Sequence, residues 1–302
     1  MNSLRPVPAR PRRPQPARLP VAPDPSRDAE FAELMQRIAR LRGRARMIAR
    51  AQPRLDAAAL GGRYVAEHLL CVERRYTLAC RHGDVPFARL AQLRYDNSGL
   101  LGIDHALDPQ HLVFLDTETS SLSAGDGTLA FMIGVCKLED NALVARQYLL
   151  TRPRAEGSML RHIMRELEGA THLVTYNGKR FDLPLLETRL RLHGIPNAFA
   201  DLTHLDLLHA VRRARRHRPA LPPTSDCRLQ TAEAHFLHLE RANDLPGHAT
   251  PRAWERLLQH NDTSLMNAAL DHNRLDVLSL AALLPVLADC SGELLRSPHA
   301  GV

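Results

Sequence analysis

The run Leu112-Val113-Phe114-Leu115 is continuously apolar and passes directly into Asp116-Thr117-Glu118-Thr119. Unbroken apolar character over so short a stretch predicts a strand covered on both faces. Side chains alternate along a strand, so extended backbone through Thr117 puts Asp116 and Glu118 on one face. Both then leave the carboxyl end of a central strand, where open α/β sheets carry their sites. Two further acidic stations follow, Asp182 and Asp276. If all four meet, they form a pocket of charge about −4 with nothing obvious beside it to neutralise it, and such a pocket calls for divalent cations. Taken alone, Asp-Xaa-Glu after an apolar run is common, and the plainer alternative is a strand-ending turn with solvated acids.

The 302 residues are 44% hydrophobic, enough for one large core or a catalytic domain with a smaller appendage. The net charge of +7 is carried almost wholly by Arg, since Lys occurs only at positions 137 and 179. That balance favours an anionic partner such as nucleic acid without choosing DNA over RNA. The five cysteines are irregularly spaced, no basic-then-apolar leader opens the sequence, and no apolar run reaches membrane-spanning length. A reduced, cytoplasmic protein without a membrane partner is expected; protein partners are not indicated.

Residues 1–28 alternate Pro and Arg and are expected to be a disordered tail, with 29–110 a small accessory region, 111–290 the catalytic domain and 291–302 a flexible end. The stripe Phe31, Leu34, Met35, Ile38, Leu41 predicts a helix over 29–50, and a short helix is expected at 53–60. One or two strands are predicted at 63–78, strands at 129–138 and 143–150 with Asn141 at the hairpin tip, and a Gly125–Thr128 turn before them. Helices at 156–167 and 183–192 then alternate with strands at 172–176 and 199–205. The last third is helical, at 207–216, 229–239, 251–259 and 264–287, with a proline-rich loop around 219–223. The succession predicts an α/β fold with a mixed central sheet flanked by helices.

The second acidic station lies in Tyr176-Asn177-Gly178-Lys179-Arg180-Phe181-Asp182-Leu183-Pro184. Asn-Gly signals a turn and Pro184 suits a first helical turn, so Asp182 reads as an N-cap at the same sheet edge, with Lys179 and Arg180 available to a phosphate. In the third, His272 and Asp276 are four apart and share a helix face, offering a proton acceptor and a ligand on one rigid element; a routine surface pair is the alternative.

Taken in order, the run from Phe114 to Thr119, the Tyr176-to-Leu186 signature, the His204-Leu205-Asp206-Leu207-Leu208 segment with Arg212-Arg213 behind it, and His272 to Leu280 resemble the YprB-like branch of the ribonuclease H-like, DEDD-type 3′–5′ exonuclease superfamily. The resemblance covers about residues 60–290 and implies a ribonuclease H-like fold. It implies Asp116, Glu118, Asp182 and Asp276 as ligands of two divalent cations, Mg²⁺ or Mn²⁺, and His272 as the residue assisting the attacking water. It also implies attack from 3′ ends on single strands, DNA foremost, with RNA left open. Ser120-Ser121 stands where the branch often has Thr-Gly; His272 stands four residues before the last Asp, a spacing normal for the branch, whereas many members of the wider superfamily carry Tyr four or His five residues before it.

Substrate contacts are expected from Thr117, Asn177, Lys179, Arg180, Arg212 and Arg213; the Arg run at 212–218 spreads over more than one helix face, and a solvated surface is its alternative. With 4% aromatic residues there are few stacking platforms; Tyr176 and Phe181 flank the Asn-Gly turn and are candidates to contact a terminal base, with core packing favoured for Phe181, and Trp254 is assigned to packing. His68, Cys71, Cys80 and His82 lack the short Cys-Xaa-Xaa-Cys spacing of a zinc knuckle. Two other functions stay open: a structure-specific endonuclease, and a catalytically silent nucleic-acid-binding module.

Overall fold

The structure, a computed structural model, describes residues 55–93, 101–103, 105–121, 127–217, 226–242 and 244–296, all within the compact unit Leu55–Val302. The expected tail at 1–28, the helix at 29–50 and the proline-rich loop lie outside them, as does the first half of the Gly125–Thr128 turn.

A seven-stranded mixed sheet runs in the order β1-β2-β7-β6-β5-β8-β9. Its strands are β1 (Arg63–Ala66), β2 (Leu69–Thr77), β5 (Leu112–Thr119), β6 (Ala130–Glu139), β7 (Ala142–Leu150), β8 (His172–Thr175) and β9 (Thr203–Asp206). A two-residue pair, β3 (Arg81–His82) and β4 (Val85–Pro86), stands apart. β5, β6 and β7 form an antiparallel meander whose second hairpin turns at Asp140 and Asn141, both at positive φ. β8 and β9 add parallel to β5 on its other side. The stretch predicted as one or two strands at 63–78 is a hairpin whose second strand pairs with β7 along its whole length, so it widens the sheet.

The helices are α1 (Ala88–Ala91), α2 (Glu156–Glu166), α3 (Asp182–Leu192), α4 (Leu207–His217), α5 (Leu229–Ala232), α6 (Thr250–His260) and α7 (Met266–Arg296). Alternation along β5 divides the core: Leu112 and Phe114 pack with α4 and α7, whereas Val113 and Leu115 pack with α2, α3 and α6. α6 docks through Trp254, stacked on Phe131 with ring centroids 5.1 Å apart and donating Nε1–H to the Leu150 carbonyl at 2.7 Å. α7 lies directly on β6 because residue 134 is glycine: a Cβ there would come within 2.4 Å of Asn273 Oδ1 and 3.0 Å of Val277 Cγ1.

Several boundaries differ from the sequence expectation. The helix expected at 53–60 is a 3-10 turn, Ala57–Leu60, closed by Gly61 in the left-handed region at φ 63°. The strand expected from 199 begins at Thr203, after a 3-10 turn at Ala198–Asp201 that Asn197 caps. The helix expected over 229–239 is one α turn followed by a π turn, Glu233–Leu237. α7 passes Pro285 and continues to Arg296, beyond the expected end at 287.

Candidate active site

β8 pairs with β5 only as far as Phe114, so Asp116 and Glu118 project beyond their parallel neighbour, still held by β6. Extended backbone does persist through Thr117, and both carboxylates take the α7 face. Asp116 lies opposite Gly134, which lies opposite Gln147 on β7, a row across three strands. Asn273 of α7 covers that row: Gln147 donates to Asn273 Oδ1 at 3.0 Å, and Asn273 Nδ2 donates to Asp116 Oδ2 at 2.8 Å. Gln147 is itself fixed on the Leu270 carbonyl at 2.7 Å. One carboxylate oxygen of Asp116 is therefore held by a chain of amides that begins two strands away.

Glu118 is 7% exposed and accepts from the Thr250 hydroxyl at 2.6 Å, at the first turn of α6. On α7, His272 and Asp276 share one face as expected, and Nε2 of the imidazole stands 3.7 Å from Asp276 Oδ2 and 3.9 Å from Glu118 Oε1. Glu118, His272 and Asp276 each present one ligand atom, and these atoms all lie within 4.8 Å of one another. Asp182 comes from the opposite face of the sheet, as the first residue of α3, where its Oδ1 accepts from the Thr117 hydroxyl at 2.5 Å. It is thus inside the helix, whose cap residue is Phe181.

Burial first, and then the charges of Asp276, Asp182 and Glu118, hold the Asp116 carboxyl well above the usual range. Burial likewise pushes Glu118 up to about 7 against the opposing Thr250 bond, and Asp182 up to about 6 against the Thr117 bond. For His272 burial is the largest influence and disfavours the cation, but Asp276, Asp244 and Glu118 together outweigh it and raise the pKa. This is a set of hard oxygen donors with one imidazole, in which burial disfavours the charged forms of Asp116, Glu118 and Asp182, and a divalent cation suits such a set.

One expectation is overturned: the carboxylates are not without a neutralising partner. Arg241, its side chain 4% exposed, donates Nη2–H to Asp276 Oδ1 at 2.5 Å and forms a two-point pair with Glu233, while Nη1 donates to Asp244 Oδ2 at 3.0 Å. Asp244 also accepts from His272 Nδ1, at 2.9 Å to Oδ1 and 3.0 Å to Oδ2. Behind them Ser279 donates to Glu233, and His82, whose pKa burial lowers to about 4, donates from Nε2 to Ser279 at 2.7 Å. Sequence reasoning missed Glu233, Arg241, Asp244 and Thr250. Among the described residues the local hint is the π turn at Glu233, an irregularity that recurs at functional sites but is invisible in periodicity.

The Asn-Gly turn sits where predicted. Asn177 adopts φ 64°, and a Cβ on Gly178 would come within 2.5 Å of Thr175 Oγ1. Asp206 clamps the turn by accepting from the Asn177 and Lys179 backbone N–H groups at 2.7 and 3.1 Å, and it caps α4 through Leu208 N–H at 3.1 Å. Lys179 and Arg180 are exposed. Phe181, assigned to packing from sequence, is instead 58% exposed, with the Arg180 guanidinium 5.7 Å from its ring centre. The turn leaves its side chain outward because Leu183, Leu185 and Leu186 already provide the apolar side of α3. On α4, Leu208, Val211 and Ala214 face the core, leaving Arg212 exposed and Arg213 half-buried. Arg213 lines a cavity of about 340 Å³ with Lys179, His204, Asp206 and His209. Among the described helices none is long and apolar enough to cross a membrane.

Comparison with known proteins places these residues in context. The RNase_H superfamily profile matches residues 113–288, spanning all four carboxylates and His272. YprB of Bacillus subtilis (strain 168) is 32% identical over 246 residues, covering 78% of this chain. The chain spans about half, 56%, of that relative's length. Among solved structures, the family B DNA polymerase of Pyrobaculum calidifontis aligns over 80% of this chain and 34% of its own, with TM-score 0.42 and 15% identity.

Proposed function

This chain belongs to the RNase H superfamily, in its YprB-like branch, and we propose that it is a divalent-metal-dependent 3′–5′ exonuclease acting on single-stranded nucleic acid, DNA foremost. The observation that carries the proposal is the convergence of Glu118, His272 and Asp276, beside a buried Asp116 whose charged form a cation would stabilise. When bound, two Mg²⁺ or Mn²⁺ ions supply Lewis acidity, favouring ionisation of the attacking water and stabilising the departing 3′ oxygen. Asp116, Glu118, Asp182 and Asp276 would hold them.

The chain's own residues then have distinct tasks. Asp116 offers the oxygen that Asn273 does not occupy, and Asp276 the oxygen that faces His272. The Thr117 hydroxyl orients Asp182. His272 Nε2 is the proton acceptor aimed between the carboxylates. Lys179, Arg180, Arg212 and Arg213 receive backbone phosphates, with Asn177 shaping the turn that presents the first two. The exposed Phe181 ring next to Asp182 offers a face on which an unpaired terminal base can stack.

The test is hydrolysis of 5′- and 3′-labelled DNA and RNA, single- and double-stranded, with Mn²⁺ or Mg²⁺, beside the Asp116→Asn protein. Stepwise shortening from the 3′ end, lost with EDTA and in Asp116→Asn, is expected. Cutting of a circular single strand would make the protein an endonuclease, and binding without cutting would make it a silent module.

A further inference from the structure

The segment between the π turn and α6 carries two buried side chains, Arg241 and Asp244, that touch catalytic candidates from behind. An ionised carboxylate only accepts hydrogen bonds, so both contacts from Asp244 to His272 Nδ1 require the proton on Nδ1. The neutral imidazole is then fixed as the Nδ1–H tautomer, and the Nε2 lone pair is the one directed at Glu118 Oε1 and Asp276 Oδ2. The reverse tautomer would set a lone pair against the Asp244 carboxylate. Arg241 completes the constraint from the other side. One of its amino groups holds Asp244 Oδ2, while the other takes Asp276 Oδ1 and thereby leaves Oδ2 as the oxygen facing His272. Glu233 anchors the guanidinium on a third side, so its plane cannot rotate without breaking a two-point pair.

We propose that Asp244 and Arg241 are positioning residues: Asp244 selects the His272 tautomer, and Arg241 selects the Asp276 oxygen, that together face Glu118. Neither belongs to the set of Glu118, His272 and Asp276 whose ligand atoms lie within 4.8 Å of one another. Their effect passes through the His272 and Asp276 side chains, in the way partners behind a metal site orient the groups in front of it. Of the four acidic ligands, Asp276 is the one that Arg241 bonds directly. The inference rests on the site described above, but the tautomer is a property of the metal-free protein and is measured without turnover.

The experiment is a long-range ¹H–¹⁵N correlation spectrum of the ¹⁵N-histidine-labelled, metal-free full chain at alkaline pH, with His272→Gln to assign the resonance. The parent is expected to show His272 as Nδ1–H. Asp244→Asn, whose amide oxygen still accepts, should keep that tautomer and so certify the fold, whereas Asp244→Leu should shift it to Nε2–H. Mn²⁺ titration calorimetry provides the readout for Arg241, which orients the proposed ligand Asp276: Arg241→Lys should weaken binding by ~10–100-fold. An Nε2–H tautomer in the parent, or an unchanged tautomer in Asp244→Leu, overturns the role of Asp244; parental Mn²⁺ affinity in Arg241→Lys overturns that of Arg241. A parent that shows the Nδ1–H form and binds Mn²⁺ but cuts no nucleic acid would sink the proposed activity while leaving this inference standing.

Discussion

Replacing Glu118 by Gln should change how the metal-free protein's stability depends on pH, and the sign follows from where its carboxyl sits. Burial holds that carboxyl at about 7, against an ordinary value of 4.5, so the folded protein keeps the Glu118 proton more tightly than the unfolded chain does. Below pH 4.5 both states are protonated and the site's stabilisation is complete. Between pH 4.5 and 7 the unfolded chain ionises while the folded site resists, and stability falls with rising pH. At about 1.36 kcal/mol per pH unit the loss from Glu118 reaches roughly 3 kcal/mol above pH 7. Asp182, raised to about 6, adds a loss of the same sign. The amide of the Glu118→Gln variant carries no such proton, yet its oxygen still accepts from Thr250, so the local packing survives. Urea unfolding in EDTA at pH 5, 6, 7 and 8 should show the variant gaining on the parent as pH rises, by roughly 3 kcal/mol across the series. Mn²⁺ should stabilise the parent far more at pH 8 than at pH 5, and the variant little at either. A difference between variant and parent that stays flat, or that shrinks as pH rises, would refute the reasoning.

Asp116 and Asp276 should part company on amidation. Asp276→Asn weakens the charge-assisted bond from Arg241 and is expected to lower stability by about 1.5–3 kcal/mol, whereas Asp116→Asn keeps its bond to Asn273 and relieves repulsion. Calorimetric melts in EDTA at pH 8 would show the contrast, and equal melting temperatures would deny Arg241 its role. Phe181→Ala should leave the melt unchanged and weaken binding of a single-stranded oligonucleotide by about 1–3 kcal/mol; undiminished affinity by fluorescence anisotropy would remove the ring from the substrate path. Trp254→Ala should cost about 3–5 kcal/mol through lost packing on Phe131 and loss of the hydrogen bond to the Leu150 carbonyl, and a smaller loss on urea unfolding would mean that α6 is held elsewhere.

The parts of the site that the sequence revealed are those governed by short-range regularity. Asp116 and Glu118 share a face because a strand repeats every two residues, and His272 and Asp276 do because a helix brings residues four apart together. The Asn177 turn was legible because its backbone demands a residue that tolerates the left-handed region. Phe181 was misjudged for the complementary reason: an aromatic residue next to a helix start suits either a core or a surface, and only the direction in which α3 leaves the turn distinguishes them.

What tertiary structure alone decided is the electrical state of the site. Arg241 meets Asp276 across 35 residues and Asp244 meets His272 across 28, both from an irregular segment with no periodicity to read. Gly134, Gln147 and Asn273 look unrelated in the sequence, yet sheet register and the seating of α7 align them behind Asp116. The chain determined by itself which acids and which histidine would be available, since local geometry follows from neighbouring residues. Which oxygens and which nitrogen they present depends on hydrogen-bond partners brought in from afar, Asn273, Arg241 and Asp244, whose nearness in space is fixed only when the chain has folded.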